Sequence, residues 1–369
     1  MTETASGTTI DPDELKRLQL TVWGYKMGQS VAAMINLGDH LGLYKALWGA
    51  GPTTVLELAE RTELHPRWVE EWLRGQVAAK LLTWHPGAAT GDDERFELTA
   101  AGAAVLADED NSLAFAAGAF SAPPDPSLVH DLAEAFKTGR GMPYDRLGPN
   151  GAHQTERTLG PWARLAFIPT IIPGLAGLQA RLEAGITVAD VGCGAGVALH
   201  TLASAYPNSQ FHGYDPSNHA IDRAEAKMAE SGLTNVTLHR NGGEQLPEKA
   251  TFDFVYTFDC LHDMPHPDRV IEAIARSLKP DGVWLIKDIR STGEFSRNLK
   301  NPMLALLYAS SVTSCMSCAL SEPGGMGLGT VGFHPERAEA MVRAAGFEHF
   351  GQHDFQDPAN LYYEVRFSP

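Results

Sequence analysis

Apolar residues recur at three- and four-residue steps near the start of the chain, at Leu15, Leu18, Val22 and Tyr25, and resume at Val31, Met34, Ile35, Leu37 and Leu41 after a lapse at 28–30. This spacing predicts helix over residues 15–48, with Gly28, Gly38 and Gly42 as places where it can break into two or more pieces. The stripe is wide enough to pack on two sides, so either a partner subunit or a second face of the same chain covers it. Residues 54–64 then predict a short helix. After a turn at His65-Pro66 a second helix runs through Val69, Trp72, Leu73, Val77 and Leu81. Residues 81–84 and 96–99 read as the arms of a β-hairpin whose tip is the polar stretch 87–94. Helix, helix, hairpin is a winged helix.

From 111 to 179 the pattern is a connector. Its helical stretches are broken by Pro123, Pro124, Pro126, Pro143, Pro149, Pro161, Pro169 and Pro173, and a short helix over 175–182 closes it. Residues 139–151 have the glycine, proline and polar content of a surface loop. Tyr144 and Arg146 within it are read as solvent-facing, the alternative being that they face a ligand mouth. Beyond 180 short apolar runs alternate with helical patterns: strands at 187–191, 210–215, 235–239, 252–258 and 282–288, a helix at 335–345, and strands at 350–355 and 361–367. Strand–helix alternation predicts a doubly wound α/β domain. The expected organisation is a helical and winged-helix domain over 1–110, a connector over 111–179 and the α/β domain over 180–369.

The first α/β unit carries the candidate chemistry. Its strand ends in Asp190-Val-Gly192-Cys193-Gly194-Ala-Gly196, and the following helix starts near Val197. A ligand at such a turn lies across the C-terminal ends of the strands, where only glycine brings the backbone close without a clashing Cβ. The dinucleotide fingerprint G-x-G-x-x-G/A would need Gly or Ala where Val197 stands, so a pyrophosphate is not expected. A cofactor carrying a sulfonium and an ammonium instead suits an acid two residues before the first glycine.

This segment resembles motif I of the class I S-adenosylmethionine (SAM)-dependent methyltransferases. Small-molecule O-methyltransferases, which carry a winged-helix domain in front, are similar to this chain over nearly its full length. The resemblance implies a Rossmann-like seven-stranded sheet with a terminal antiparallel pair. It also implies that SAM is bound, and S-adenosylhomocysteine left, by Asp190, Gly192, Cys193, Gly194 and Gly196, with Asp215 and Pro216 at the ribose. Asn241 and Gly242 would lie at the adenine, where an aspartate is more usual than Asn241, and Asp259 at the end of the fourth strand. Leu261-His262-Asp263-Met264 is similar to the family's L-H-D-W segment, with Met264 replacing tryptophan. There the histidine is the general base, so His262 and Asp263 are the candidate catalytic pair. Capping, substrate contact, or metal ligation with His266 across Pro265 are the other uses a histidine here could have.

Composition narrows the partners. The 369 residues are 44% apolar and 20% charged, ordinary for a folded protein, and the formal charge of −16 disfavours nucleic acid, anionic membranes and acidic macromolecules. Residues 1–110 hold 9 Lys/Arg against 17 Asp/Glu, a balance of −8. The second helix of the winged motif carries Glu70 and Glu71 beside Arg67 and Arg74, and the wing tip holds Asp92, Asp93 and Glu94, a poor footprint for DNA. Four cysteines form no disulfide framework, which fits a cytoplasmic protein, and Cys315-x-x-Cys318 lacks a second pair to complete a zinc set. No signal peptide is expected. Residues 301–321 carry no charge, but serines interrupt them, so a buried helix is expected rather than a membrane span. The glycine match at 327–332 follows a helical run rather than a strand, which suits a lid edge better than a phosphate site.

The expectation is a cytoplasmic homodimer, paired through residues 15–48, that methylates a small, apolar or aromatic molecule without metal. The pocket would be lined by the run 303–320 and by Trp23 or Tyr25. A SAM-sensing transcription regulator and a SAM enzyme with a non-methylating reaction are the alternatives.

Overall fold

A computed structural model describes residues 2–3, 9–87, 94–120 and 125–368. The chain divides into two compact units, Met1–Pro123 and Pro124–Pro369.

In the first unit the apolar stripe forms one helix, Pro12–His40, whose N-terminus is capped by Asp11 accepting from the Asp13 amide. It runs through Gly28 and Gly38 and ends before Gly42, where φ is +70°. Gly38 lies within the helix because a Cβ there would meet the Trp72 ring at 2.3 Å. That close approach lets Trp72 Nε1 donate to the Met34 carbonyl at 3.0 Å. Helix Val55–Thr62 starts with a reciprocal capping box between Thr54 and Glu57, and helix Pro66–Ala78 follows the His65 cap. Thr83–His85 pairs antiparallel with Arg95–Glu97, and Thr53 adds a bridge to Phe96. Leu43, Tyr44, Leu58, Leu73, Phe96 and Leu106 form the core of this winged helix. Arg67 pairs with Glu71 at 2.5 Å and Arg74 with Glu70 at 2.9 Å and Glu94 at 2.6 Å. The wing-tip acids Asp92 and Asp93 lie outside the described residues.

The second unit is a seven-stranded sheet with strands β1 Thr187–Val191, β2 Gln210–Tyr214, β3 Val236–His239, β4 Phe252–Phe258, β5 Leu278–Ile289, β6 His349–His353 and β7 Asn360–Arg366. Their order is β6-β7-β5-β4-β1-β2-β3, with β7 antiparallel to both β5 and β6 and the others parallel. This is the expected Rossmann-like sheet with its antiparallel terminal pair. β4 is buried throughout, as a strand covered on both faces must be. β5 starts earlier than expected, at Leu278 rather than 282, and its register with β4 shifts between Phe252 and Phe254.

Two helical stretches depart from the prediction. Gly148–Trp162 continues through a π-helical stretch, Ala163–Ile171, into Ile172–Gly174, so Pro161 and Pro169 lie within one helical run. Proline removes an N–H and crowds the preceding turn; the wider π winding accommodates both, and Phe167 and Ile171 still reach the core. The charge-free run is likewise helical but interrupted: Leu304–Ser310, a π segment Ser311–Cys315, then Met316–Ala319. It is only partly buried, with Met303 and Leu306 more than half exposed. Among the described residues no single helix is long and apolar enough to cross a membrane.

Candidate functional site

β1 delivers Asp190, buried to 2% exposure, to the C-terminal edge of the sheet, hydrogen-bonded in register beside Gly213 of β2 and Tyr256 of β4. Burial pushes its carboxyl well above the ordinary range. The chain then turns with φ of +79°, +53° and +71° at Gly192, Gly194 and Gly196, left-handed conformations that an L side chain would strain. Gly192 is also sterically required. A Cβ there would meet Cys260 Sγ at 2.7 Å, so the glycine turn packs directly on the segment after β4. The Gly192 and Cys193 amides both donate to the Tyr214 carbonyl, at 2.8 and 3.1 Å, which locks the turn onto β2.

Asp215 follows β2. Its carboxylate accepts from the Gly194 amide at 2.8 Å and from the Ser217 amide at 2.9 Å, with Pro216 between them. Burial raises its pKa and nearby Asp145 adds to this, while the two amide bonds oppose them. Asp145, from the stretch read as a surface loop, accepts from the Ser217 hydroxyl and from the Asn218 amide. Tyr144 beside it is also held, its hydroxyl 2.9 Å from Thr155 Oγ1, and burial pushes it up to about 12. Arg146 instead pairs with Asp131 and Asp125. Residues 144–146 are thus half-buried and held rather than free in solvent, with Asp145 tied to the start of the helix after β2.

After β3, Asn241 donates through Nδ2 to Gln245 at 3.0 Å, while its Oδ1 is buried without a partner. Gly242 precedes the turn Gly243–Gln245. After β4, Asp259 adopts φ +53°, and both its carboxylate oxygens are engaged, one by Lys287 of β5 and the other by Asn360 of β7. The Lys287 ammonium sits 4.7 Å over the Trp162 ring. Burial raises the Asp259 pKa against the pull of Lys287.

His262 and Asp263 occupy the short turn Leu261–Asp263. His262 is 2% exposed, and its Nδ1 lies 2.7 Å from Asp288 Oδ1 at the end of β5. Asp288 Oδ1 also accepts from the Ile289 amide, and its Oδ2 is buried without a partner. Burial alone would lower the His262 pKa, but Asp288 above all, with nearby Cys315 and Asp263, outweighs it and holds it well above the ordinary range. Asp263 is pushed up to about 7, chiefly by burial, with His262 opposing and Asp288, Asp215 and Asp259 adding. One His262 ring nitrogen, the Asp263 carboxylate and Cys315 Sγ all lie within 4.8 Å of one another.

Asp190, the three glycines, Asp215, Asn241 and His262 thus stand at neighbouring strand ends. Asp288, Lys287, Asn360 and Cys315 are additions that motif reading missed. Asp288 had one usable signal, an acid at the C-terminal end of a parallel strand. Cys315 had none, because its contact with His262 spans 53 positions of sequence and depends on the π segment.

Models of known families match both units. One described as a methyltransferase domain matches residues 182–329, and one described as an Rv2258c-like winged HTH domain matches residues 29–107. The chain carries a methyltransferase domain of the SAM-dependent fold behind a winged-helix domain. The chain is 31% identical over 167 residues to a ubiquinone biosynthesis O-methyltransferase of Actinobacillus pleuropneumoniae serotype 7, covering 44% of this chain and 64% of that one. The chain therefore spans just under two thirds of that relative's length. Among solved structures, human N-acetylserotonin methyltransferase in complex with SAM superposes with a TM-score of 0.67 at 18% identity, covering 98% of this chain and 100% of that one. A protein from Nostoc punctiforme PCC 73102 gives 0.68 at 17%, covering 97% and 99%. At such identities the likeness concerns the fold, and it extends over both units.

Proposed function

We propose that the protein transfers the methyl group of SAM to an oxygen of a small-molecule acceptor, with His262 as general base. The observation that carries this is the packing of the Gly192 turn on the segment bearing His262, which sets the glycine turn beside a histidine that has an orienting partner. The residues fit that cofactor. Asn241 Oδ1 is a buried acceptor lacking a donor, as an adenine amino group would supply. Asp190 and Asp215 are acids whose raised pKa values a bound cation would lower, and the turn has the alternate glycines of the methyltransferase motif rather than a dinucleotide fingerprint.

SAM supplies a methyl carbon already activated by sulfonium, so the protein's work is positioning and proton removal. Asp288 holds the imidazole through Nδ1, leaving the other ring nitrogen for the acceptor proton, and Asp288 stabilises the imidazolium that results. Calorimetry should show SAM and S-adenosylhomocysteine binding and no NAD binding; NAD binding, or none by SAM, would reject the proposal. Isotopically methyl-labelled SAM added to a metabolite extract would identify the acceptor by mass spectrometry.

The proposal extends to assembly. Helix Pro12–His40 leaves Leu18, Leu20, Trp23, Tyr25 and Met27 largely exposed in its unit, Tyr25 at 73%. Apolar area of that extent is expected to be covered, and a second copy through the same helix is the economical cover.

A further inference from the structure

Three side chains at the strand ends bring metal-ligating atoms of three kinds together. A ring nitrogen of His262, a carboxylate oxygen of Asp263 and Cys315 Sγ all lie within 4.8 Å of one another. They come from two elements far apart in the chain, the turn Leu261–Asp263 and the end of the π segment Ser311–Cys315. Thr330 N donates to Ser311 Oγ at 3.2 Å, which ties down the start of that segment. His262 is buried and the other two are half-buried, so an ion reaches the cluster from the side of Asp263 and Cys315.

Two further observations point to a cation. His262 Nδ1 lies 2.7 Å from Asp288 Oδ1, and a metal-binding histidine gives its other nitrogen to a carboxylate in this way, which fixes the ring and its tautomer. Asp288 is 1% exposed, and its Oδ2, on the same carbon as Oδ1, is buried without a partner, so the carboxylate beside the ring is only half engaged. The donor set selects the ion. One nitrogen, one oxygen and one sulfur suit Zn²⁺, whereas Mg²⁺ and Ca²⁺ take oxygen ligands. At zinc bond lengths of about 2.0–2.3 Å, tetrahedral ligand atoms stand about 3.3–3.7 Å apart, so the three need to close in by at most about 1.5 Å.

We propose that His262, Asp263 and Cys315 bind Zn²⁺, with Asp288 behind the histidine, and that the bound ion switches methyl transfer off. Nδ1 stays with Asp288, and the ion takes the other ring nitrogen, the one assigned above to the acceptor proton. Ion and acceptor therefore exclude one another. Binding displaces the thiol proton and any proton on that nitrogen, and three protein ligands leave the fourth position to water. Metal capture stands without the cofactor; the inhibition rests on the reading of His262 as the base.

The test takes the full chain freed of metal by a chelator and titrates it with Zn²⁺ against a chromophoric chelator and, separately, with Co²⁺. SAM binding is followed by calorimetry on the same protein. One ion per chain is expected, and Co²⁺ should give the intense near-ultraviolet band of a cobalt–thiolate bond. Cys315→Ser should abolish that band and weaken Zn²⁺ binding by roughly a hundredfold or more, while Cys318→Ser keeps both. Asp288→Asn should keep the band and weaken binding by roughly ten- to a hundredfold, the usual effect of losing a carboxylate behind a ligating histidine. With the acceptor isolated from a metabolite extract, one equivalent of Zn²⁺ should stop transfer and a chelator should restore it. No Zn²⁺ binding, a band that survives in Cys315→Ser, or Asp288→Asn binding as tightly as the parent overturns the site. Transfer that continues with the ion bound overturns the inhibition. SAM binding without Zn²⁺ binding overturns the site and leaves the transfer reading standing, whereas Zn²⁺ binding without SAM binding supports the site and rejects that reading.

Discussion

Two regions of this molecule break the rule that apolar groups go inside and charges outside, and they break it in opposite senses. Helix Pro12–His40 presents Leu18, Leu20, Trp23, Tyr25 and Met27 outward in its unit, whereas the strand ends of the α/β unit bury Asp190, His262 and Asp288. Each arrangement costs free energy unless something else completes it: exposed apolar area at about 25 cal/mol per Å², and buried ionisable groups by several kcal/mol per ion if unpaired. The two regions therefore ask for different completions. The helix wants an apolar surface, and the strand ends want protons, a cation or each other. Within the strand ends the completion is uneven. Asp259 is matched by Lys287 and Asn360, and His262 by Asp288 Oδ1, while Asp288 Oδ2 and Asn241 Oδ1 are buried without a hydrogen-bond partner.

Predictions that break or sharpen this contrast run from the buried region to the exposed one. His262→Ala should lower kcat by roughly a hundredfold or more and leave SAM affinity nearly unchanged, since it removes the proton acceptor and not the cradle. Turnover near normal with an unchanged pH profile would reassign His262 to packing. Asp215→Ala should weaken SAM binding by about ten- to a hundredfold, from the loss of roughly 1.5–3 kcal/mol of hydrogen bonding to a charged group, as read by calorimetry.

The His262–Asp288 pair makes a signed pH prediction. The His262 pKa is raised, so a growing share is neutral and able to accept a proton as pH rises, and kcat should climb on the acid side. Asp288→Asn removes the opposing charge, so the acid limb should move to lower pH while the plateau falls. Stability follows the linkage in the same direction. The pair's contribution is fully present below the ordinary histidine range and is lost as pH rises through the raised value; the thermal midpoint of Asp288→Asn should thus depend less on pH there than that of the parent.

On the exposed side, Trp23→Asp should weaken self-association by roughly tenfold or more, from the apolar area withdrawn from an interface, and sedimentation would read it. A parent protein that is monomeric at micromolar concentration would remove the basis for pairing through this helix. The smallest effect should come from Arg67→Ala. Its ion pair with Glu71 joins two side chains more than 60% exposed, and exposed pairs contribute about 0–1 kcal/mol, so the melting curve should barely move.

The amino-acid sequence by itself determined the order of elements and the chemistry at the strand ends, because those signals are local. Apolar patterns of helical and strand period and the alternate glycines after Asp190 act within a few residues of themselves, and each appears in the structure close to where the pattern put it. What only the tertiary structure decided involves atoms far apart in the chain. Gly38 stays inside a helix because Trp72 packs against it, and Pro161 and Pro169 stay inside one because a π winding anchored in the core absorbs them. Asp145 is held because the start of the helix after β2 offers it partners, and Tyr144 because Thr155 of helix Gly148–Trp162 does. The partner of His262 is settled in the same way. Asp263 and His266 are its neighbours in sequence, yet the parallel register of β4 with β5 brings Asp288 to its Nδ1, and the π segment turns Cys315 toward the ring. Local spacing carries no information about such pairings, because the free energy that selects them resides in the assembled sheet and its packed helices.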